Sequence, residues 1–431
     1  MSRILLLLYF LVSPWFYGIA EVGGQSLALS DLLLPVCALT WLAQKRRVVS
    51  NLGMALLCFG VAALLSVVAP LAEGKSVATL YKVIRLLGVL APAVMLSGTR
   101  CTHDDWVRYL KAFFVGGGIS LAVGVVGFFF QWEPIVATQT YVYDGGAYLH
   151  RAGGVFRDSG AYGHLLATWA GCSILLLVPE LSMKGKSLVI ASVASLGALG
   201  LYTSISRSAA LNIGAILALA LILWPTRKKT WLPKLLAGTA VLVMAVSAML
   251  IDADSGSTFA SATDTVAQRL IESFSSLLGG LEDIERASGG RLTTWAMAME
   301  EWSGQPVFGV GYKMLGLSGS PPDNTFVLAL CETGMLGFGA LTFCFGLIFW
   351  KAMDRYSRDA ADGRSFLILW TGQLIHSLNA DIMTFFGSVT SLLILTLIWY
   401  RLASHEPARR DSREREGLLV EAQHPAHYST R

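Results

Sequence analysis

Four arginines are the side chains best placed for chemistry: Arg151 and Arg157 in "HRAGGVFRDSG", Arg207 in "LYTSISRSAALN" and Arg291 in "SGGRLTTW". A guanidinium is a planar fork of donors that matches a phosphate or carboxylate in bidentate fashion. Arg151, Arg157 and Arg291 have glycines nearby, where backbone can approach a ligand closely. Arg207 interrupts two apolar runs, from about 188 to 203 and from 208 to 224. An arginine at the centre of a membrane span costs ~2.5–3.5 kcal/mol, and less near the interface. Either Arg207 snorkels to a lipid phosphate or it is placed to hold an anionic substrate group. Arg291 falls near the start of a predicted helix bearing Trp295, Met299 and Trp302. A cation there opposes the helix dipole unless an anion lies against it. Together the four point to a phosphate or diphosphate ligand.

The carboxylates come next, in "GSPPDNTFVLALCETGMLGFGAL" (319–341). Pro321 and Pro322 keep the chain extended, and Asp323 or Asn324 then caps a helix beginning at Thr325. Asp323 is open to two readings, a helix cap or a base that takes a proton from a hydroxyl nucleophile. Glu332 lies further into the same apolar run, either facing another helix or serving the site. His150 and His164 are alternative imidazoles. No P-loop, G-x-S-x-G or H-E-x-x-H occurs. "FGVGYKMLG" (308–316) follows no βαβ pattern, and "DAD" (252–254) reads as a span end more readily than as a metal site. Six cysteines are scattered singly, without zinc or redox spacing.

The elements that must position these groups are membrane helices. The chain has 431 residues, 54% of them hydrophobic and only 14% charged, far below the quarter usual in soluble domains. A net charge of +4 gives no reason to expect a nucleic-acid partner. About twelve apolar runs have the ~17–25 residues a span needs. They fall near 4–20, 27–43, 52–71, 79–97, 109–130, 161–179, 187–203, 208–224, 233–251, 325–350, 365–381 and 383–401. The first reads as a true span rather than a cleaved signal, since its basic region is only Arg3. "LNADIM" (378–383) requires a very tight turn between the last two. Most of the 33 lysines and arginines fall in alternate loops, which puts both termini in the cytoplasm and the four arginines outside. The expected organisation is a polytopic domain over 1–402, outer loops at 131–160 and 252–324, and a disordered cytoplasmic tail at 403–431. Val266, Leu270, Phe274 and Leu277 recur at helical spacing, so the larger outer loop is expected to carry amphipathic helices on the membrane face.

The order "GGVFRDSGAYGHLLA", "TSISRSAAL", "GGRLTTWAMAMEEWSGQPVFGVG", "PDNTFVLALCETGMLG" resembles the O-antigen ligase and O-antigen polymerase superfamily. That resemblance covers about 130–350 by motif and the rest by span number. It implies an all-α, GT-C-like integral membrane protein of about 12 transmembrane helices with a helical periplasmic cap, in the bacterial inner membrane. It implies glycosyl transfer from an undecaprenyl-diphosphate-linked glycan to another lipid-linked unit in polymerases or to lipid A–core in ligases, with no cofactor. Membrane lipid, a chain-length regulator and a flippase of the same pathway are the other expected partners. Arg207 and Arg291 match the family's periplasmic arginines that hold the diphosphate.

The family's ligases carry His-Asn where this chain has Asp323-Asn324, and the asparagine often found after Gly-Phe is absent from "RDSGAYG" (157–163). These departures favour a polymerase of O-antigen or exopolysaccharide over a ligase. The expected catalytic groups are Asp323, Arg207 and Arg291, with Arg151, Arg157, Asn324, His164 and Trp295 binding substrate and no metal. A transporter or flippase is the competing reading. It would place ionisable groups at mid-membrane in repeated halves, whereas here charge gathers at the outer surface and no repeat is visible.

Overall fold

The computed structural model describes residues 2–403 except 16–17, 23–24, 29–32, 34, 37–38, 40–41, 44–48, 75–76, 98–100, 131, 133–137, 143–147, 157, 205, 224–290, 319–320 and 386. The candidate span at 233–251, the helical pattern at 266–277 and the tail from 404 therefore lie outside the described residues, as does most of 27–43.

The helices run α1 Ser2–Val12, α2 Asn51–Ser66, α3 Val68–Ala72, α4 Val77–Ser97 and α5 His103–Phe130. Then come α6 Ser159–Cys172, α7 Met183–Ser204, α8 Arg207–Leu223, α9 Arg291–Ser303, α10 Leu315–Ser318, α11 Thr325–Ser357, α12 Ala361–Asn379 and α13 Gly387–Ala403. Among the described residues, five helical stretches are long and apolar enough to cross a membrane: Asn51–Ala72, His103–Phe130, Ser159–Glu180, Met183–Ser204 and Thr325–Ser357. The chain is a multi-pass, predominantly helical membrane protein.

Two antiparallel hairpins depart from the all-helical expectation. One pairs β1 Gly18–Val22 with β2 Gln25–Ala28, and the other pairs β3 Thr138–Val142 with β4 Tyr148–Ala152. The first hairpin corrects the expected span at 4–20. Helix α1 stops at Val12, just before Pro14, whose ring and missing N–H oppose a helix interior. Eleven residues rise only about 16 Å, too little to cross a bilayer.

The stretch Ser159–Glu180 is almost wholly buried and forms the axis of the bundle. Its large side chains seat on glycines of α5: a Cβ at Gly117 would lie 2.6 Å from the Trp169 ring. The Trp169 indole N–H donates to the Phe114 carbonyl at 2.8 Å, and the Tyr162 hydroxyl donates to that of Leu121 at 2.9 Å. Helix α11 packs against α2 and α12, and α12 also packs against α8. At the end expected inside, Arg3 pairs with Asp105 at 3.1 Å, and Asp362 accepts from Arg355 and from the Trp399 indole.

Candidate functional site at the outer end of the bundle

Among the described residues, several of the ends that the charge pattern assigns to the outside meet at one end of the bundle. The tip between α7 and α8 rests on α6, where a Cβ at Gly163 would fall 2.6 Å from Ser206 Oγ. Ser206 caps α8, its carbonyl accepting from Ala210 N–H at 3.0 Å and its hydroxyl from Ala209 N–H at 3.3 Å. Arg207 is thus the first residue of α8, at the positive end of its dipole. On β4, Arg151 Nε donates to the carbonyl of Ser204, the last residue of α7, at 2.9 Å. Arg151 braces the hairpin tip three residues before Arg207. Arg157 lies outside the described residues; its neighbour Asp158 caps α6 through Gly160 and Ala161 N–H.

Arg291 is the first described residue of α9. Ala298 of α9, Leu315 of α10 and Leu328 and Cys331 of α11 form a second, smaller core with Trp302, Val310 and Val327. This core makes α9, α10 and the first turns of α11 a small outer unit. Trp295 is half-buried in it, and among the described residues its indole N–H has no hydrogen-bond partner.

The two readings of Asp323 separate here. Asn324, not Asp323, caps α11, its Oδ1 accepting from Phe326 and Val327 N–H at 2.9 and 3.0 Å. Asn324 Nδ2 donates to the Leu378 carbonyl at 3.0 Å. Thr325 Oγ1 donates to the Ala380 carbonyl at 2.9 Å and accepts from Ile382 N–H at 3.0 Å. Asn324 is buried and spent on structure, whereas Asp323 stands exposed beside it. The connector 380–386 between α12 and α13 is therefore what positions Asp323.

Helix α11 is broken. Gly334 has φ 66 and ψ −169, and the 23 residues after it suffice to span a bilayer. Glu332 accordingly belongs to the outer piece rather than to mid-membrane. The backbone groups released by the break bond to the segment before α10. Val310 and Gly311 N–H donate to the carbonyls of Cys331 and Glu332 at 2.9 and 3.0 Å. Met335 and Leu336 N–H donate to those of Pro306 and Val307 at 2.9 and 3.4 Å. The glycines of "FGVG" thus serve close backbone contact: a Cβ at Gly309, φ +76, would lie 2.5 Å from Gly334 N.

Beside this junction, Lys313 Nζ donates to Asp381 Oδ2 at 2.5 Å, and both side chains are largely buried. Burial alone would lower the Lys313 pKa, but Asp381, helped by Glu332, holds it above the ordinary lysine range. The Lys313 amide also bonds the Glu332 carboxylate, whose Oε1 lacks a partner among the described residues. Sequence reading missed Lys313 and Asp381; the only signal was a charged residue within each of two tight turns.

His164 is corrected from a substrate ligand to an interior residue. It is fully buried, with Nδ1 2.6 Å from Ser388 Oγ and Nε2 2.8 Å from Gln373 Oε1. Both nitrogens are used within the protein. The ring meets His376 edge-on at 4.9 Å, and His376 in turn bonds Asn212, five residues beyond Arg207. This network ties α6, α8, α12 and α13 together beneath the site. His150 lies in β4, which carries Arg151.

The outer end therefore carries Arg207 at a helix start, Arg151 bracing the tip just before it, and an exposed carboxylate on a rigid mount. Residues 191–342, which hold α8, α9, the break in α11 and all three expected catalytic residues, match the family model described as O-antigen ligase. Over this segment the chain is similar to that family. The match agrees with the resemblance that the motif order carries. Comparison with curated proteins finds no match.

Proposed function

We propose that the protein transfers glycans from undecaprenyl diphosphate at the periplasmic face of a bacterial inner membrane. The observations that carry this reading are the placement of Arg207 as the first residue of its helix, at the end that also bears Asp323, and the match of residues 191–342, which include Arg291, to the O-antigen ligase family model. Arg207 is unfavourable against its helix dipole alone and favourable once a diphosphate lies against it, and Arg291 would share that anion. An acceptor hydroxyl oxygen attacks the anomeric carbon, and its proton passes to the Asp323 carboxylate. The bond from that carbon to the diphosphate breaks, and the electron pair leaves on the diphosphate. Preplaced guanidinium groups stabilise the charge that develops there. Direct displacement inverts the anomeric centre. The chemistry needs no cofactor or metal, and residues 291–333 act as a helical periplasmic cap.

Two acceptors remain in play, each with an observation behind it. Asp323 in place of the ligases' histidine favours a polymerase of O-antigen or exopolysaccharide, while the matched family description favours a ligase. Purified protein given lipid-linked repeat units alone should lengthen them if it is a polymerase. Growth only after lipid A–core is added would instead establish a ligase. The transporter reading loses its main structural support, because broken spans in transporters turn freed backbone groups toward cargo. Here the carbonyls of Cys331 and Glu332 and the amides of Met335 and Leu336 are bonded to protein.

A further inference from the structure

The spanning part of α11 shows where the bilayer must lie. Met335, Leu336, Phe343, Trp350 and Met353 are all exposed along it. From Met335 to Met353 the helix rises about 27 Å, close to the ~30 Å of a hydrocarbon core. The charged residues Lys351, Asp354, Arg355 and Arg358 cluster at its far end, where Lys351 pairs with Asp354. Met335 and Leu336 therefore mark the outer edge of the apolar layer. The turn joining α9 to the segment before α10 is hydrogen-bonded to that edge through the carbonyls of Pro306 and Val307. Turns that face water usually carry Gly, Asn, Asp or Ser. This one reads "GQPVFG", and Val307 and Phe308 are 50% and 49% exposed.

We propose that Val307 and Phe308 insert into the outer leaflet as a lipid wedge that fixes the cap to the membrane. The occupant of this patch is phospholipid at the level of the upper acyl chain, because the patch continues the lipid-facing stripe of α11. The wedge is rigid. Its backbone is bonded to the helix break, and the mutual contact of Gly309 and Gly334 leaves no room for sliding. Since α9 ends at Ser303, the wedge also holds the near end of the helix that bears Arg291. This inference depends on the membrane architecture and not on the glycosyltransferase reading.

The test uses the full chain, with its native cysteines replaced, in phosphatidylcholine–phosphatidylglycerol vesicles. Spin labels are attached at Phe308→Cys and, separately, Val307→Cys. Phe343→Cys on the lipid stripe and Glu300→Cys on the exposed side of α9 serve as references. Relaxation by oxygen, which partitions into lipid, is compared with relaxation by a water-soluble nickel chelate. The oxygen-to-nickel ratio at 307 and 308 should exceed that at Glu300→Cys several-fold and approach that at Phe343→Cys. A ratio equal to that at Glu300→Cys would place the turn in water and overturn the wedge. Shielding from both reagents would show protein covering the patch, which overturns it equally. Two label positions keep the test decisive if one variant fails to fold.

Discussion

Asp323 and Asn324 are neighbours with different work, and substitution separates them. Asn324→Ala removes the cap of α11, worth about 1 kcal/mol, together with the bond to Leu378. It should lower the melting temperature in detergent while leaving measurable transfer. Asp323→Asn leaves that cap intact and should keep the melting temperature, yet lose a general base worth about 10²–10⁴-fold in rate. Wild-type turnover by Asp323→Asn would remove the carboxylate from the mechanism. The sequence could not divide these roles, because Asp and Asn both make good caps and only the geometry at residues 326 and 327 chooses between them. His164 was similarly illegible. Its partners Gln373 and Ser388 lie more than two hundred residues away, and nothing near it in sequence announces them.

The broken helix is the element on which the site's geometry turns. Gly334 adopts a backbone conformation nearly restricted to glycine, and any Cβ there would lie 2.1 Å from the Val307 carbonyl oxygen. Gly334→Ala should cost at least about 2–3 kcal/mol, from backbone strain and the clash together. It should lower thermal stability and loosen protease protection of the segment around residue 308, whereas Gly339→Ala, in open space on the same helix, should do neither. The Lys313–Asp381 pair closes the same junction. Lys313→Met strands a largely buried carboxylate and should cost about 3–5 kcal/mol, whereas Lys313→Met with Asp381→Leu should recover much of that loss. Melting curves of the three proteins check this, and a double variant no better than the single would mean the two residues are uncoupled. Apolar run length made the long spans legible. It hid the break, because glycines 309 and 334 reveal their contact only in three dimensions, and it overran α1 by ignoring what Pro14 does to a helix.

For the whole molecule, the pairs Gly163–Ser206, Asn324–Leu378 and Lys313–Asp381 join loops that the charge alternation assigns to one side. Sidedness itself is testable with a membrane-impermeant maleimide on cells carrying a cysteine-free background. Glu300→Cys should label on intact cells once the outer membrane is permeabilised, and Asp359→Cys only after the inner membrane is opened. The reverse pattern would put the arginines in the cytosol, away from any lipid-linked glycan on the far leaflet.

The most direct measurement is single-turnover release of undecaprenyl diphosphate from a lipid-linked glycan by purified wild-type protein and Arg207→Lys, at matched amounts of folded protein. Wild type should release the carrier in step with glycan transfer. Arg207→Lys keeps the charge but loses the planar fork, and should release it at least about 10²-fold more slowly. Equal release by both proteins would contradict a guanidinium clamp on the departing diphosphate.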